Sequence, residues 1–252
     1  MAKLIFLGTS NAISDDNHEN THMVVVGEKR TVLIDCPNSP IQRFQKAGVD
    51  LSPLSDLVLT HFHPDHVSGV PQLLMNMWLM GRTQPLSIYG LQHTIDRVEK
   101  LMDLYNWLEW PGFFPVGFHR LPEQELVSIL ECDEFRILAS PVKHFIPTLG
   151  LRIEFSKSKK ILAYSCDTEP CAQLIRLAAG VDILVHESSG ELPGHSSAKQ
   201  AGETACQAKA GALYLVHYPT GQFASGDPVA EARQQYDGPI TLAEDYMILD
   251  FD

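Results

Sequence analysis

The chain has 252 residues, 44% of them apolar and 20% charged, with a formal net charge of −12. That composition supplies a sizeable core and excludes a fibrous or disordered chain. The acidity counts against a broad, non-specific nucleic-acid binder, which would be basic. No apolar run reaches membrane-spanning length. The segment Met1–Gly8 has too short an apolar run and no cleavage site for a signal peptide. A cytoplasmic protein without membrane contact is therefore expected, as a single domain over 1–252. The five cysteines, Cys36, Cys132, Cys166, Cys171 and Cys206, are odd in number and irregularly spaced, which argues against a disulfide framework. Cys166 and Cys171 are expected to be buried thiols.

In chain order, Lys3–Leu7 reads as a strand, followed by a turn at Gly8–Asn11 and a polar loop to Asn20. Met23–Val26 and Thr31–Asp35 read as strands around a Gly27–Arg30 turn. Ser39-Pro40 gives an N-cap and a first-turn proline, opening a helix that ends near Gly48. A strand at 56–60 leads into His61-Phe62-His63-Pro64-Asp65-His66. His61 and His63 are two apart, so on a strand end they face the same side. Asp65 and His66 enter the turn of the next helix. Three histidines and a carboxylate within six residues suit zinc, and also iron or manganese; their density suggests two metals.

Pro71–Met80 reads as an apolar core helix closed by Gly81, Leu86–Tyr89 as a strand and Thr94–Tyr105 as an amphipathic helix. Trp107–Pro115 is aromatic and rich in Pro and Gly, suiting a substrate-facing lid, a partner surface or a satellite core cluster. Strands follow at 126–131, 134–140, 149–155 and 160–165, with Lys157, Lys159 and Lys160 on a solvated hairpin. Helices near 170–179, 197–209 and 228–236 separate strands at 182–186 and 212–217, and two strands finish the chain. Strand-rich blocks each followed by helices suggest two packed sheets with helices outside. His144, Asp167 and His217 each follow an apolar strand, so they gather at one sheet edge with 61–66. His18 and His22 are candidate extra ligands or substrate contacts or, more simply, loop residues.

His61-Phe62-His63-Pro64-Asp65-His66 with His144, Asp167 and His217 resembles the metallo-β-lactamase superfamily of binuclear metallohydrolases, over nearly the whole chain. The resemblance implies an α/β fold, an αβ/βα four-layer sandwich of two mixed β-sheets. It implies that His61, His63 and His144 hold one divalent ion, that Asp65, His66 and His217 hold the other, and that Asp167 bridges them. Phe6-Leu7-Gly8-Thr9-Ser10, Ser68–Leu74, Pro85–Gly90, Tyr164-Ser165-Cys166-Asp167-Thr168, Val185–Ser189 and Gly194–Ser197 are similar to the RNase Z branch. There the matching His195 protonates the leaving oxygen and Glu187 orients it. A histidine held by a carboxylate suits that role chemically. Two features depart from that branch. Only Leu149–Cys166 stands where a long tRNA-gripping arm lies in RNase Z enzymes, and the loop 11–22 is acidic.

The expected function is phosphodiester hydrolysis, on a small molecule or RNA, by two ions about 3.5–4 Å apart, most simply zinc. Asp65 would also orient the attacking oxygen. The resemblance also implies a homodimer. The rival readings are a hydrolase of the same fold acting on a lactone, thioester or other small ester, an oxygen-reducing di-iron protein, and a non-enzymatic binding module.

Overall fold

Fourteen strands form two sheets in a computed structural model that describes residues 2–251. The first sheet holds β1 (Lys3–Gly8), β2 (His22–Val26), β3 (Thr31–Ile34), β4 (Leu54–Val58), β5 (Leu86–Leu91) and β6 (Val116–Leu121). It also takes β14 (Ile248–Asp250), in the order β14-β1-β2-β3-β4-β5-β6. The second holds β7 (Val127–Glu131), β8 (Phe135–Val142), β9 (Thr148–Phe155), β10 (Ile161–Tyr164), β11 (Ile183–Glu187), β12 (Ala212–Val216) and β13 (Ile240–Leu242), in the order β13-β12-β11-β10-β9-β8-β7. Both are mixed. β1, β2 and β3 pair antiparallel and β3 to β6 parallel. In the second sheet β7 to β10 pair antiparallel and β10 to β13 parallel.

Three apolar layers explain why the central strands are continuously apolar rather than alternating. Phe6, Met23, Ile34, Ile137, Leu151 and Tyr164 fill the space between the sheets. Helices α1 (Pro40–Lys46), α3 (Val70–Leu79) and α4 (Gln92–Asp103) cover the first sheet through Phe44, Leu73, Met77, Ile95 and Val98. Helices α5 (Ala172–Leu177), α6 (Ala198–Ala208) and α7 (Pro228–Ala232) cover the second through Leu177, Ala201, Ala205 and Ala232. Each fully buried Leu, Ile, Val or Phe contributes about 1.5–3 kcal/mol. This is the four-layer sandwich the ligand pattern implies.

The sequence boundaries move in a few places. The strand expected at 56–60 is Leu54–Val58, and the helix expected to end near Gly48 stops at Lys46. Ser39 precedes α1 but makes no side-chain cap. β6 is absent from the sequence reading because its residues are only half-buried and follow the aromatic stretch. That stretch is a packed satellite rather than a lid. Trp110 stacks on Trp78 at 5.2 Å, Trp107 meets Phe113 edge-on at 5.5 Å, and Phe114 is buried against the first sheet's helices. Lys157, Lys159 and Lys160 are exposed on the tight β9–β10 hairpin, as expected. Cys166 is buried, whereas Cys171 is half-buried; all five cysteines are free. No helix among the described residues is long and apolar enough to cross a membrane.

Candidate metal centre

The residues that matter sit just past the carboxyl ends of β3, β4, β8, β10, β11 and β12, all at one edge of the sandwich. Leu59 makes the last rung of the β4–β5 ladder, and beyond it the chain's hydrogen bonds go elsewhere. Leu59 N–H bonds Tyr89 O at 2.8 Å, Thr60 N–H bonds Asp35 Oδ1 at 2.8 Å, and Leu149 N–H bonds Thr60 O at 3.1 Å. The pegged segment carries His61 and His63 inward. Pro64 then opens the short helix α2 (Pro64–Val67), with Asp65 in its first turn, where an anion is favoured. Gly69 lets this turn press on the chain at 36–38, since a Cβ there would lie 2.4 Å from Asn38 O.

Two groups of ligand atoms converge. His61 Nε2 lies 3.0 Å from His63 Nδ1, which lies 3.2 Å from His144 Nε2, with Asp167 Oδ2 3.8 Å from His61 Nε2. In the second group, Asp65 Oδ2 is 3.5 Å from His66 Nε2 and 3.4 Å from His217 Nε2. Asp167 is 3.6 Å from His66 and 3.5 Å from His217, so it belongs to both groups.

This arrangement fits divalent ions. Donors each 2.0–2.1 Å from a shared tetrahedral centre stand about 3.3 Å apart, close to the spacings seen. The tautomers agree as well. His66 Nδ1–H donates to Asp35 Oδ2 at 2.8 Å, and His144 Nδ1–H to Gly194 O at 2.6 Å. Ser189 Oγ donates to His217 O, so it accepts from His217 Nδ1–H at 2.7 Å. Thr60 Oγ1 donates to Asp35, so it accepts from His61 Nδ1–H at 3.1 Å. Four imidazoles thus turn an unprotonated Nε2 toward the centre, as such outer partners do in metal sites. His66 Nε2 and Asp167 Oδ1 are buried with no hydrogen-bond partner. Buried polar atoms of that kind call for an explanation, and a cation supplies one.

The electrostatics divide in the same way. Burial pushes His61 well below the ordinary imidazole value and lowers His63 and His144. Burial acts the same way on His66 and His217, but the surrounding carboxylates outweigh it and raise both. Asp65 resists its own burial through the charge of His66 and the His217 hydrogen bond, and falls to about 2. Asp167 is held far below the usual carboxylate range despite burial, first by His217 and then by His66. The second group is an anionic pocket that draws in positive charge.

Glu187 ends β11 and is fully buried. Its Oε1 accepts the N–H groups of Thr168 at 2.9 Å and Ser196 at 3.2 Å, and its Oε2 accepts Ser189 N–H at 3.0 Å. His195 Nδ1–H donates to Oε1 at 3.0 Å, which leaves Nε2 outward on a ring stacked 5.8 Å from His217. Burial lowers the affinity of His195 for a proton, but the hydrogen bond and charge of Glu187 prevail and raise its pKa. An imidazole whose hold on its proton is strengthened by Glu187 is thereby fixed at the rim of the cluster.

All seven expected ligands, with Glu187 and His195, come together. His18 and His22 do not join either ligand group. His18 is held by Asp15 at 3.0 Å, and His22 is buried in β2, bonded to Asn20 O at 2.8 Å. Sequence reading overlooked Asp35, Ser189 and the Gly194 carbonyl. Asp35 alone left a signal, a carboxylate closing the apolar run Thr31–Ile34. Asp35, Cys166 and His217 have positive φ angles of 61°, 53° and 52°. Such backbone strain clusters at functional sites.

The sequence profile described as "Anti-Pycsar protein Apyc1" matches residues 2–234. Among curated relatives, "Ribonuclease Z" of Mycolicibacterium gilvum (strain PYR-GCK) is 31% identical, covering 97% of this chain and 94% of its own. Among solved structures, the metallo-beta-lactamase fold protein YhfI from Bacillus subtilis superposes with a TM-score of 0.82 at 20% identity, covering 98% of each chain. Human tRNase Z, short form (ELAC1), does so with a TM-score of 0.78 at 22% identity, over 99% of each chain. At these identities the two structures speak for the fold.

Proposed function

This chain belongs to the Anti-Pycsar protein Apyc1 family and is an RNase Z-like metal-dependent hydrolase of the metallo-β-lactamase fold, and from that premise we propose that it cleaves small phosphodiesters in preference to tRNA. The observation that carries this reading is His195, fixed through Nδ1 on buried Glu187 at the rim of a two-part ligand cluster. An alkoxide is a poor leaving group, and a positioned imidazolium is the acid that expels it. Lactone and thioester hydrolysis has less need of one.

His61, His63 and His144 would hold one ion and Asp65, His66 and His217 the other, with Asp167 shared. Bound there, two divalent ions supply Lewis-acid polarisation of the phosphoryl oxygens and lower the pKa of water. The chain's own residues do the rest. Asp65, fixed between His66 and His217, accepts a hydrogen bond from the attacking water and orients it. Glu187 holds His195 in the tautomer whose Nε2 carries the transferable proton. His195 Nε2 gives that proton to the departing oxygen. Imidazole and carboxylate donors suit zinc best, with manganese or iron compatible.

The preference for small substrates rests on two features. The β9–β10 connection is a tight hairpin rather than a long arm, and the net charge of −12 repels a polyanion at long range. The test is turnover of zinc-reconstituted protein on bis(p-nitrophenyl) phosphate, cyclic nucleotides, precursor tRNA, lactones and thioesters in parallel. The small phosphodiesters should turn over fastest. Preferential turnover of lactones or thioesters overturns the chemistry, and preferential turnover of precursor tRNA overturns the substrate size.

A further inference from the structure

Beside His195 lies a cavity of about 340 Å3, lined by Glu169, Glu191, Leu192, Pro193, Gln200 and His195 itself. Its volume falls at the lower end of the roughly 300–1,000 Å3 typical of small-molecule pockets. The loop that walls it is held in place. Gly194 has a φ of +77°, and its N–H bonds Glu169 Oε1 at 2.9 Å. His195 N–H bonds Leu192 O at 3.0 Å. Any Cβ at Gly194 would come within 2.6 Å of the Phe145 ring.

The lining is apolar on one part and negative on another. Leu192 in that lining is 59% exposed, and Phe145, outside the lining but edge-on to His195 with ring centroids 6.3 Å apart, is 63% exposed. An exposed aromatic face can stack a planar group, and an aliphatic side chain beside it adds apolar contact. Glu169 is ion-paired with Lys143, which offsets its charge. Glu191 is exposed and makes no ion pair or hydrogen bond among the described residues. The start of α6 does not compensate. Ser197 and Gln200 bond each other's N–H groups in a capping box, which occupies donors that would otherwise meet an anion.

We propose that this cavity receives the alcohol half of the substrate, the half whose oxygen His195 protonates, and that Glu191 makes it selective for alcohols bearing no further phosphate. The inference rests on phosphodiester hydrolysis as read above. Its physical basis is that Glu191 lines the cavity with no cationic partner among the described residues to offset it, while the apolar wall accepts an uncharged ring. A second phosphate roughly 7 Å from Glu191, in half-solvated surroundings, should lower kcat/KM about five- to tenfold. Salt should shrink that penalty.

The test uses zinc-reconstituted protein and three diadenosine substrates: ApA, and ApA with a phosphate added at its 5′ or its 3′ end. One of the two extended substrates, the one whose added phosphate lies on the alcohol half, should be cleaved about five- to tenfold less efficiently than ApA. Glu191→Gln should remove most of that difference, and raising the salt should narrow it in the native protein only. A penalty equal in native and variant protein, or no penalty at either end, overturns the role of Glu191. Failure to cleave ApA while bis(p-nitrophenyl) phosphate is still hydrolysed overturns the cavity's assignment and leaves phosphodiester chemistry standing. Failure on every phosphodiester, with lactones or thioesters turned over, overturns the functional reading itself.

Discussion

Asp35 never approaches the substrate, yet replacing it by Asn should cripple metal binding. Asn keeps the size of the side chain and tolerates the positive φ of 61°. Its oxygen should stay where Asp35 Oδ1 now accepts the Thr60 N–H at 2.8 Å. Its NH2 then falls where Oδ2 accepts His66 Nδ1–H at 2.8 Å. Two donors cannot face each other, so His66 moves its proton to Nε2, the atom that would ligate. The protein then either forces the unfavourable tautomer back or loses a ligand. Outer partners of this kind change metal affinity by roughly 10- to 100-fold, or about 1.4–2.7 kcal/mol. The lost charge-assisted bond should also lower fold stability by about 1.5–3 kcal/mol. Competition for zinc against a chromophoric chelator at neutral pH measures the first effect, and thermal melting measures the second. A variant that binds both ions within twofold of the native affinity would refute the tautomer argument, whatever its melting temperature.

Three further outcomes are expected. His195→Ala should lower kcat on alkyl phosphodiesters by roughly 10²- to 10⁴-fold and on p-nitrophenyl esters far less; equal losses on both would remove His195 as the acid. Gly8→Ala should fail to fold stably, because its Cβ would sit 2.1 Å from Asn20 O; normal circular dichroism and melting would contradict that packing. His22 should govern part of the acid stability. Burial depresses its pKa from 6.5 to about 3, so below pH 6.5 the unfolded chain takes up a proton that the folded chain refuses. Stability is therefore complete above pH 6.5 and is lost as pH falls toward 3, at up to about 1.4 kcal/mol per pH unit. Denaturant titrations of His22→Asn across that window should show a shallower decline, and an unchanged slope would count against the buried neutral imidazole.

The candidate ligands were legible because the fold places them simply. His61, His63, Asp65 and His66 are neighbours in sequence, and His144, Asp167 and His217 each lie one to three residues past an apolar strand. Strand ends are points that hydrophobic runs locate well, so the shared edge could be inferred before any coordinates. Asp35 and Ser189 were not legible. Their partners, His66 and His217, lie 31 and 28 residues away, and an Asp or Ser after a strand is commonplace in turns. β6 escaped for another reason. An edge strand buries little, so its residues Val116–Leu121 carry neither the continuous apolar run of a central strand nor clean alternation. The strand end at 59–60 was misplaced because Leu59 still makes a last rung to Tyr89, whereas Thr60 bonds Asp35 and Leu149 instead of continuing that ladder.

The division of the two sheets along the chain has a consequence for how the site comes into being. β1 to β6 precede the exposed link 122–126, β7 to β13 follow it, and only β14 crosses back. Each ligand group draws on both sides of that link: His61 and His63 with His144 and Asp167, Asp65 and His66 with Asp167 and His217. Neither half of the chain can offer a full shell by itself. High-affinity metal capture must therefore follow the docking of the sheets during biosynthesis. A nascent chain, with only its first half emerged, presents the His61–His66 cluster without the partners from the second half that complete either group.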